Sequence, residues 1–331
     1  MKRPWLAGLM PLYAAGVGLR GLALATGLEP VKRLGRPVVS VGNISAGGAG
    51  KTPFVIAVAK LLAEDGVRVD VLSRGYGRRE KLASRVRMDG TAEEFGDEPV
   101  VIAREADVPV YVAAQRLVAG QLGELEGAEL HLLDDGFQHR QLARDEDIVL
   151  VSSEDLGDSL LPGGNLRESR GALRRATVFA VEAGDEAAAE VLARMNAADG
   201  VKRPIWRYRR RMVMPKVTGP VMAFCGIARP EQYFAGLEAG GLQVAVRRAF
   251  PDHYAWGAVD LGELAAEGKA AGVTAFVMTA KDQARLGPLV TVLQQAALVR
   301  VAGLRVELEA PAAVLGRLRG LMGRKSGKQS L

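Results

Sequence analysis

The residues best suited to chemistry lie in VGNISAGGAGKTP, residues 41–53, where four glycines accompany a lysine and a threonine. Glycine lets successive backbone N–H groups close around phosphate oxygens, and a following helix N-terminus adds a positive dipole. Lys51 would then reach the β- and γ-phosphates of a nucleotide, and the Thr52 hydroxyl would ligate Mg²⁺. The segment predicts a P-loop for ATP, whose contacts come from Ser45, Ala46, Gly47, Gly48, Ala49, Gly50, Lys51 and Thr52.

The flanking segments have the pattern that a P-loop requires. Residues 36–42, RPVVSVG, predict a buried strand, and residues 53–66, PFVIAVAKLLAEDG, predict a helix that stops at glycine. Strand, glycine-rich turn and helix are the context of a P-loop. The pattern G-x-x-x-x-G-K-[ST] is broken at Ser45, where the first glycine is expected. The alternative is a glycine-rich turn with an incidental GKT.

A pair of acids follows another predicted strand, within residues 128–142, AELHLLDDGFQHRQL. A P-loop enzyme needs a second acid at the end of a neighbouring strand to hold its metal. We expect Asp134 or Asp135 to serve Mg²⁺, directly or through water. An ordinary acidic turn between strand and loop is the alternative.

Phosphoryl transfer to a hydroxyl also needs a group that guides the acceptor's proton, and a carboxylate within hydrogen-bond reach suits that role. Asp97 and Glu98 lie in FGDEP, between a glycine and a proline at the expected start of a helix. Such acids are also ordinary helix caps. Of the three histidines, we expect His131 to be structural, because it lies inside a predicted strand, whereas His139 contacts nucleotide or metal-bound water, or merely packs.

Other candidate ligands also follow turns or predicted strands. Arg167, in NLRE after a Pro-Gly-Gly turn, can clamp the triphosphate, unless Arg167 and Glu168 form only a surface pair. Arg74 and Tyr76, in SRGYGR, follow the strand VRVDVLS and lie at a carboxyl end, where parallel sheets bind ligands. Their partner is either the acceptor or the nucleotide. A further candidate for contact with the substrate or with these groups is Gln138.

Composition bounds the class of protein. The chain has 331 residues, of which 48% are hydrophobic and 25% charged, as in folded globular proteins. Its single cysteine, Cys225, cannot form an internal disulfide, which suits the reducing cytoplasm. The net charge of +6 indicates an anionic partner. Basic residues are concentrated in the segments 206–212 and 316–328. Aromatic residues make up only 5% and do not cluster, so we do not expect nucleic acid to be the partner.

The first thirty residues begin with Lys2 and Arg3 and then run uncharged from position 4 to position 19. The pattern favours an amphipathic helix in the membrane interface, with its large apolar side chains in the lipid and its basic residues, including Arg20, at lipid phosphates. The side chains expected in the lipid are Trp5, Leu9, Leu12 and Tyr13. A core helix, a signal peptide and a transmembrane span remain alternatives.

The strand and helix patterns predict an α/β fold, a P-loop NTPase-like, mostly parallel sheet with helices on both faces. Strands are expected near 37–41, 67–72, 109–112, 129–133, 147–152 and 177–181, and then near 220–224, 243–249, 274–278 and 297–301. The alternating segments 205–213 and 304–309 are expected to pair. The predicted division is an interface helix at 1–28, a kinase domain at 29–204 to which 310–325 returns, a two-stranded linker at 205–217 and 303–309, and a smaller α/β domain at 218–302.

Six sequence blocks occur here in the order found in the tetraacyldisaccharide 4′-kinase family, which the chain resembles over nearly its whole length. Besides the P-loop segment, the blocks are SRGYGR (73–78), GDEP (96–99), LDDGFQHRQLARDEDIVLV (133–151), LPGGNLRE (161–168) and FPDHYAW (250–256). The DDGFQHR and LPGGNLRE blocks are specific to that family. The chain departs from the family's TEKD at Ala280, which weakens any role for an acid at that position and leaves the rest of the resemblance intact.

The resemblance implies an activity. The γ-phosphate of ATP would pass, with Mg²⁺, to the 4′-hydroxyl of a tetraacyldisaccharide 1-phosphate in lipid A biosynthesis, giving lipid IVA. By resemblance, Asp97 matches the catalytic aspartate, and His253 matches the histidine that partners it. The enzyme would lie at the cytoplasmic face of the bacterial inner membrane, against its anionic surface, as a monomer.

Two other functions compete with this one. A membrane-associated P-loop ATPase could use hydrolysis as a switch, without a lipid acceptor. A lipid or nucleic-acid binder could carry a relic P-loop, although the intact Lys51, Thr52 and Asp pair favour an enzyme.

Overall fold

The computed structural model describes residues 4–47 and 50–326. The predicted phosphate contacts of Gly48 and Ala49, and the predicted lipid contacts of Lys2 and Arg3, lie outside these residues. Within the described residues, twelve strands form one sheet in the order β10-β9-β11-β12-β8-β7-β6-β1-β5-β2-β4-β3. The strands are β1 (Val38–Asn43), β2 (Val69–Ser73), β3 (Ser84–Arg85), β4 (Val110–Val112), β5 (Leu130–Asp134), β6 (Glu146–Leu150), β7 (Val178–Glu182), β8 (Ile205–Val213), β9 (Val221–Cys225), β10 (Val244–Ala249), β11 (Ala275–Thr279) and β12 (Leu298–Leu308).

Helices connect most of these strands, as in other α/β proteins. The α-helices are α1 (Met10–Ala25), α2 (Lys51–Glu64), α3 (Ala92–Phe95), α4 (Asp97–Ala106), α5 (Arg116–Leu125), α6 (Ser153–Leu156), α7 (Glu186–Asp199), α8 (Pro230–Ala239), α9 (Ala258–Ala270), α10 (Ala280–Leu286), α11 (Val290–Gln294) and α12 (Pro311–Ser326). In the part of the chain that the structure describes, 3₁₀-helices cover Pro4–Leu9, Arg170–Arg175 and Gly287–Leu289.

Most neighbouring strands of the described sheet run parallel, in agreement with the predicted fold class. The exceptions are β8 with β12 and the short β3 with β4, which are antiparallel. The β8–β12 ladder joins Tyr208–Val213 to Gly303–Leu308, so the two alternating segments pair as expected. Strand β12 also covers the strand expected near 297–301, because its first half pairs in parallel with β11. Its two halves thus link the strands on either side into one continuous sheet, and the division into two domains stays a prediction.

Apolar side chains of α2 form the centre of the largest core cluster. Phe54, Val55 and Val58 are fully buried there, packed with residues of α4 and of the central strands. Helix α12 adds Val314 and Leu318 to the same cluster. The C-terminal helix therefore packs on the part of the fold that holds the glycine-rich loop.

Two close approaches of backbone position the loops at the carboxyl edge of the sheet. A Cβ at Gly42 would lie 2.5 Å from Cβ of Phe137, so the end of β1 contacts the turn that follows β5. Gly96, with φ of +89°, would place a Cβ 3.0 Å from the backbone of Gly75. Only glycine fits this geometry, which brings the SRGYGR turn against the first residue of α4.

Candidate active site

The glycine-rich loop begins with a backbone pairing to the LPGGNLRE block. Ala46 N–H donates to the Asn165 carbonyl at 2.7 Å, and Arg167 N–H donates to the Ile44 carbonyl at 2.7 Å. Ser45 lies between them in a bridge to Leu166. It is absent from the described non-glycine residues with positive φ, which explains why serine is tolerated where the consensus has glycine.

Lys51 is the first residue of α2, and its ammonium group already has two oxygen neighbours. Its Nζ donates to Asn43 Oδ1 at 2.9 Å and lies 3.4 Å from Asp135 Oδ1. Asn43 is the last residue of β1, and its amide donates to Ser45 Oγ. Asn43 therefore connects the loop's first residues to its lysine, and this contact was not predicted from the sequence.

Asp134 is the last residue of β5 and Asp135 follows it, beside this lysine. Asp134 is 2% exposed, its Oδ2 lies 3.5 Å from Ser73 Oγ, and its Oδ1 is buried with no hydrogen-bond partner among the described residues. Burial raises the pKa of Asp134, and the charges of Glu98 and Asp135 add to that effect. A carboxylate oxygen held in this way needs a cation or a donor.

The chemistry of this donor set fits Mg²⁺. The Asp134 carboxylate and the hydroxyl of Thr52, which is 6% exposed in the first turn of α2, are oxygen ligands of the kind that Mg²⁺ prefers. Asp135 differs from Asp134, because Arg167 Nη1 donates to its Oδ2 at 2.8 Å. Burial alone would raise the pKa of Asp135, but the positive charges of Lys51 and Arg167 hold it below its usual value.

Asp97 and His253 come together across the fold. Asp97 begins α4 and is 6% exposed, whereas His253 lies in the loop between β10 and α9. His253 Nδ1 is 3.3 Å from Asp97 Oδ2, and the hydrogen bond between them raises the pKa of the imidazole. His253 has φ of 59°, an uncommon backbone conformation of the kind that clusters at functional sites.

Two cations of α10 complete this cluster. Arg285 Nε donates to Asp97 Oδ2 at 2.9 Å, and Lys281 Nζ donates to Glu98 Oε1 at 2.6 Å. Burial would raise the pKa of Asp97, but the hydrogen bond with His253 and the charges of Arg285 and Lys281 together hold it well below its usual range. Asp97 is therefore a carboxylate at neutral pH.

The LPGGNLRE block and the residues after β5 form a second polar network. Gln138 Nε2 donates to the Asn43 carbonyl at 2.9 Å and to Glu168 Oε1 at 3.2 Å. The Glu168 carboxylate also accepts two hydrogen bonds from Arg175, from Nη1 to Oε2 at 2.8 Å and from Nη2 to Oε1 at 2.9 Å. Glu168 is thus a buried anchor for two other side chains, and Arg167, its neighbour, is left to pair with Asp135.

Several arginine side chains lie close enough to His139 to act on its charge. Burial lowers the pKa of His139 to about 4, and the charges of Arg116 and Arg144 act in the same direction. Arg74 is exposed, and its charge lowers the pKa of both His139 and the buried Arg116. His139 is therefore neutral, and the arginines around it provide a field suited to an anion.

Tyr76 lies on the other side of the site, next to His253. It is 72% exposed, and its ring centroid is 5.9 Å from that of His253.

The predicted structural role of His131 agrees with its surroundings. It is fully buried in β5, with Nδ1 2.7 Å from Asp70 Oδ1.

Helix α1 contacts the site from its open side. Tyr13 Oη donates to the Arg167 carbonyl at 3.0 Å, and a Cβ at Gly163 would lie 2.7 Å from Met10 Sδ. The segment Trp5–Ala25 is long and apolar enough to cross a membrane by length and composition. Most of its residues are exposed or partly exposed, and Leu24, at 8% exposure, is its buried residue. The exposure of the segment disfavours the core-helix alternative.

Comparison with known proteins decides the family. The family model described as "Tetraacyldisaccharide-1-P 4'-kinase" matches residues 3–322. The chain belongs to this family. Among curated relatives, a tetraacyldisaccharide 4'-kinase from Koribacter versatilis is 41% identical over 85% of this chain and 88% of its own length. One from Geobacter metallireducens is 38% identical over 92% of this chain and 94% of its own.

A solved structure in the family supports the fold as well. The "apo" form of LpxK from Aquifex aeolicus, crystallised in complex with ATP, superposes with a TM-score of 0.72 and 30% sequence identity. The match covers 97% of this chain and 98% of that one. The predicted fold class and the predicted family are thus confirmed.

Sequence reasoning missed the two α10 cations and Asn43. Lys281 and Arg285 lie in TAKDQAR, four residues apart and hence on one helix face, which was a usable signal for an acidic partner. The partner itself, Asp97, could not be identified from local patterns, because 188 residues separate it from Arg285.

Proposed function

We propose that this member of the tetraacyldisaccharide-1-P 4'-kinase family transfers the γ-phosphate of ATP to the 4′-hydroxyl of a tetraacyldisaccharide 1-phosphate, forming lipid IVA in lipid A biosynthesis. The observation that carries the residue assignment is the convergence, at one edge of the sheet, of the Lys51–Asp135 pair and the Asp97–His253 pair. The first suits the nucleotide's phosphates, and the second suits the acceptor hydroxyl.

The glycine-rich loop and Lys51 are assigned to the triphosphate. Nζ of Lys51 would exchange Asn43 and Asp135 for the β- and γ-phosphates, since a phosphate oxygen is a stronger partner than an amide. Arg167, now paired with Asp135, would contact the same anion. Both cations offset the charge that spreads over the phosphoryl oxygens in the transition state.

Asp134 and Thr52 are the residues assigned to Mg²⁺, and Asp135 supports them from beside Lys51. When bound, the ion supplies charge neutralisation for the phosphoryl group and orients its oxygens. The free Oδ1 of Asp134 is the observation that supports this assignment.

Asp97 and His253 are assigned to the acceptor. The ionised carboxylate would accept the hydrogen bond of the 4′-hydroxyl and take its proton as the new O–P bond forms, while His253 orients that carboxylate through Nδ1. Tyr76, exposed beside His253, is available to pack on the sugar. Arg74, Arg116 and the neutral His139 give the acceptor's own phosphate a favourable field.

Helix α1 and the 3₁₀-helix Pro4–Leu9 before it are assigned to the membrane that holds the lipid. Trp5 in the 3₁₀-helix and Leu12 and Leu19 in α1 are 79%, 71% and 68% exposed, and each would gain roughly 1.5–3 kcal/mol on burial in an apolar phase. Because Tyr13 contacts the Arg167 backbone, insertion of α1 would set the active site against the lipid surface. The cytoplasmic face of the inner membrane, where ATP is present, is the proposed location.

The test is ATP-dependent phosphorylation of tetraacyldisaccharide 1-phosphate in detergent micelles, with Mg²⁺. We expect phosphate transfer from [γ-³²P]ATP to the lipid, and only slow ATP hydrolysis when the lipid is left out. Hydrolysis at the same rate with and without the lipid would favour the ATPase switch instead. As a control, a lipid already phosphorylated at the 4′ position should accept nothing.

A further inference from the structure

Two basic side chains on one face of α10 pair with the two acids that begin α4. Arg285 contacts Asp97, and Lys281 contacts Glu98. The pairs join segments more than 180 residues apart in sequence, as the separations of 188 and 183 residues show. The far part of the chain therefore reaches the proposed base through charged groups as well as through His253.

The Arg285 contact is more than a surface ion pair. Its side chain is 8% exposed and that of Asp97 is 6% exposed. Both Nε and Nη2 donate to Asp97 Oδ2, while Nη1 donates to the carbonyl of Gly226. The guanidinium is thus fixed by the turn after β9 at one end and fixes the carboxylate at the other.

The second oxygen of Asp97 is held by its own helix. Oδ1 accepts the backbone N–H of Glu98 at 2.9 Å. With Oδ2 held by Arg285 and His253, both rotation and tilt of the carboxylate are restricted. Such restriction is what phosphoryl transfer requires, since its catalysis is mostly positioning.

We propose that Arg285 is a positioning residue for phosphoryl transfer, which acts by holding the Asp97 carboxylate in place for the acceptor hydroxyl. This inference rests on the proposed role of Asp97. The arginine reduces the basicity of that carboxylate, but the cost is small where the transition state is loose and the hydroxyl proton leaves late. In return, the buried carboxylate of Asp97 stays charged, because the arginine's charge lowers its pKa.

Several charges face the Asp97–His253 pair, and each bears on a pH test. Helix α10 contributes two cations and one acid, the loop after β10 contributes another acid, and α4 contributes the neighbour of Asp97. These groups are Arg285, Lys281, Asp282, Asp252 and Glu98. Loss of the Arg285 charge alone raises the pKa of Asp97 and of His253, because a nearby cation favours the deprotonated form of both.

The experiment compares Arg285→Met and Arg285→Lys with the wild type, and uses Arg248→Met as the matched control. Arg248 pairs with Glu267, outside the site. The measurements are kcat and KM for ATP and lipid across a pH series, and an NMR titration of the His253 imidazole, assigned by comparison with His253→Gln. Arg285→Lys retains the charge but changes the hydrogen-bonding geometry, and it provides the test if Arg285→Met does not fold.

For Arg285→Met we expect kcat to fall by up to about 10²-fold, the cost of a misplaced catalytic group, with little change in the KM for ATP. The acid limb of the kcat profile and the His253 titration should both move to higher pH. Arg285→Lys should restore the position of the acid limb and part of kcat. Arg248→Met should match the wild type in every measurement.

Two results would overturn the inference. One is wild-type kcat in Arg285→Met. The other is a uniform loss of kcat across pH, equal in the Lys and Met variants, with an unchanged His253 titration, because this would mean a structural role only. The proposed function fails differently: an active Asp97→Ala enzyme would remove the base itself, whereas an inactive Asp97→Ala beside a normal Arg285→Met would reject only the role of Arg285.

Discussion

His253 Nδ1 lies 3.3 Å from Asp97 Oδ2, although one residue follows the tenth strand and the other begins the fourth helix. The two residues belong to parts of the chain that β8 and β12 join into one sheet, and α10 packs against α4 beside them. A change in how these parts sit would separate the proposed base from its partner. Activity should therefore depend on residues at this contact as strongly as on the phosphate loop.

Loss of the P-loop lysine or threonine should abolish turnover and leave the fold intact. Lys51→Ala removes a cation from the phosphates, and Thr52→Ala removes an oxygen ligand, each worth several kcal/mol of transition-state stabilisation. Lys60→Ala, on the same helix α2, is the control and should keep wild-type kcat. Initial rates at saturating ATP and thermal melting check both statements. Wild-type rates for Lys51→Ala would move the nucleotide elsewhere.

The affinity of the protein for membranes should depend on the exposed leucines of helix α1. Leu12→Gln with Leu19→Gln should weaken binding to vesicles that contain phosphatidylglycerol by well over tenfold, because each leucine contributes roughly 1.5–3 kcal/mol. Activity on the micellar lipid should fall more than basal ATP hydrolysis does. Leu125→Gln, at an exposed leucine that ends α5, is the matched control and should leave vesicle binding unchanged.

Point substitutions test the anchor better than removal of residues 1–28, because Tyr13 donates to the Arg167 carbonyl beside the site. Removal would lose this contact together with the apolar surface. Vesicle binding that is unchanged in the leucine variant would return α1 to a role within the protein.

The two histidines near the site should have opposite effects on stability as pH changes. His139 has a pKa of about 4 when folded and about 6.5 when unfolded, so the unfolded chain binds more protons between those values. Its contribution to stability is complete above pH 6.5 and is lost as the pH falls toward 4. His253 has a raised pKa, so its contribution is complete below about pH 6.5 and is lost as the pH rises through the folded value.

Urea unfolding at a series of pH values checks these signs. Between pH 7 and pH 5, His139→Gln should lose less stability than the wild type, since the variant lacks a group that resists protonation. Between pH 6 and pH 8, His253→Gln should lose less stability than the wild type. An NMR titration that finds His139 protonated at pH 6 would contradict the first expectation.

The local parts of the site could be predicted from the sequence because each is a short pattern with its own physical cause. Strand, glycine-rich turn and helix required only neighbouring residues, and the acids Asp134 and Asp135 were recognisable because an apolar strand runs directly into them. Strand β3 was missed, since its two residues are too short to carry a period.

Contacts between distant segments could not be predicted in the same way. The Arg285–Asp97 contact depends on the packing of α10 against α4, which brings together residues 188 positions apart in the chain. No pattern within either segment contains that packing. The Asp97–His253 pair was expected only because the sequence resembles a family in which both residues have known roles.

Asp97 and His253 should lose activity as a unit. Asp97→Ala and His253→Ala should each reduce kcat by about 10²–10⁴-fold, the range for positioned acid–base groups, with little change in the KM for ATP. The double variant should be little worse than the poorer single variant, because a partner that orients a base contributes nothing once the base is gone. Steady-state kinetics of all four proteins on the micellar lipid measure this.

Higher pH should partly restore the activity of Asp97→Ala, since hydroxide replaces the lost proton acceptor. It should do less for Lys51→Ala, whose defect is not proton removal. Losses that multiply would instead assign His253 an independent task, such as binding the sugar beside Tyr76.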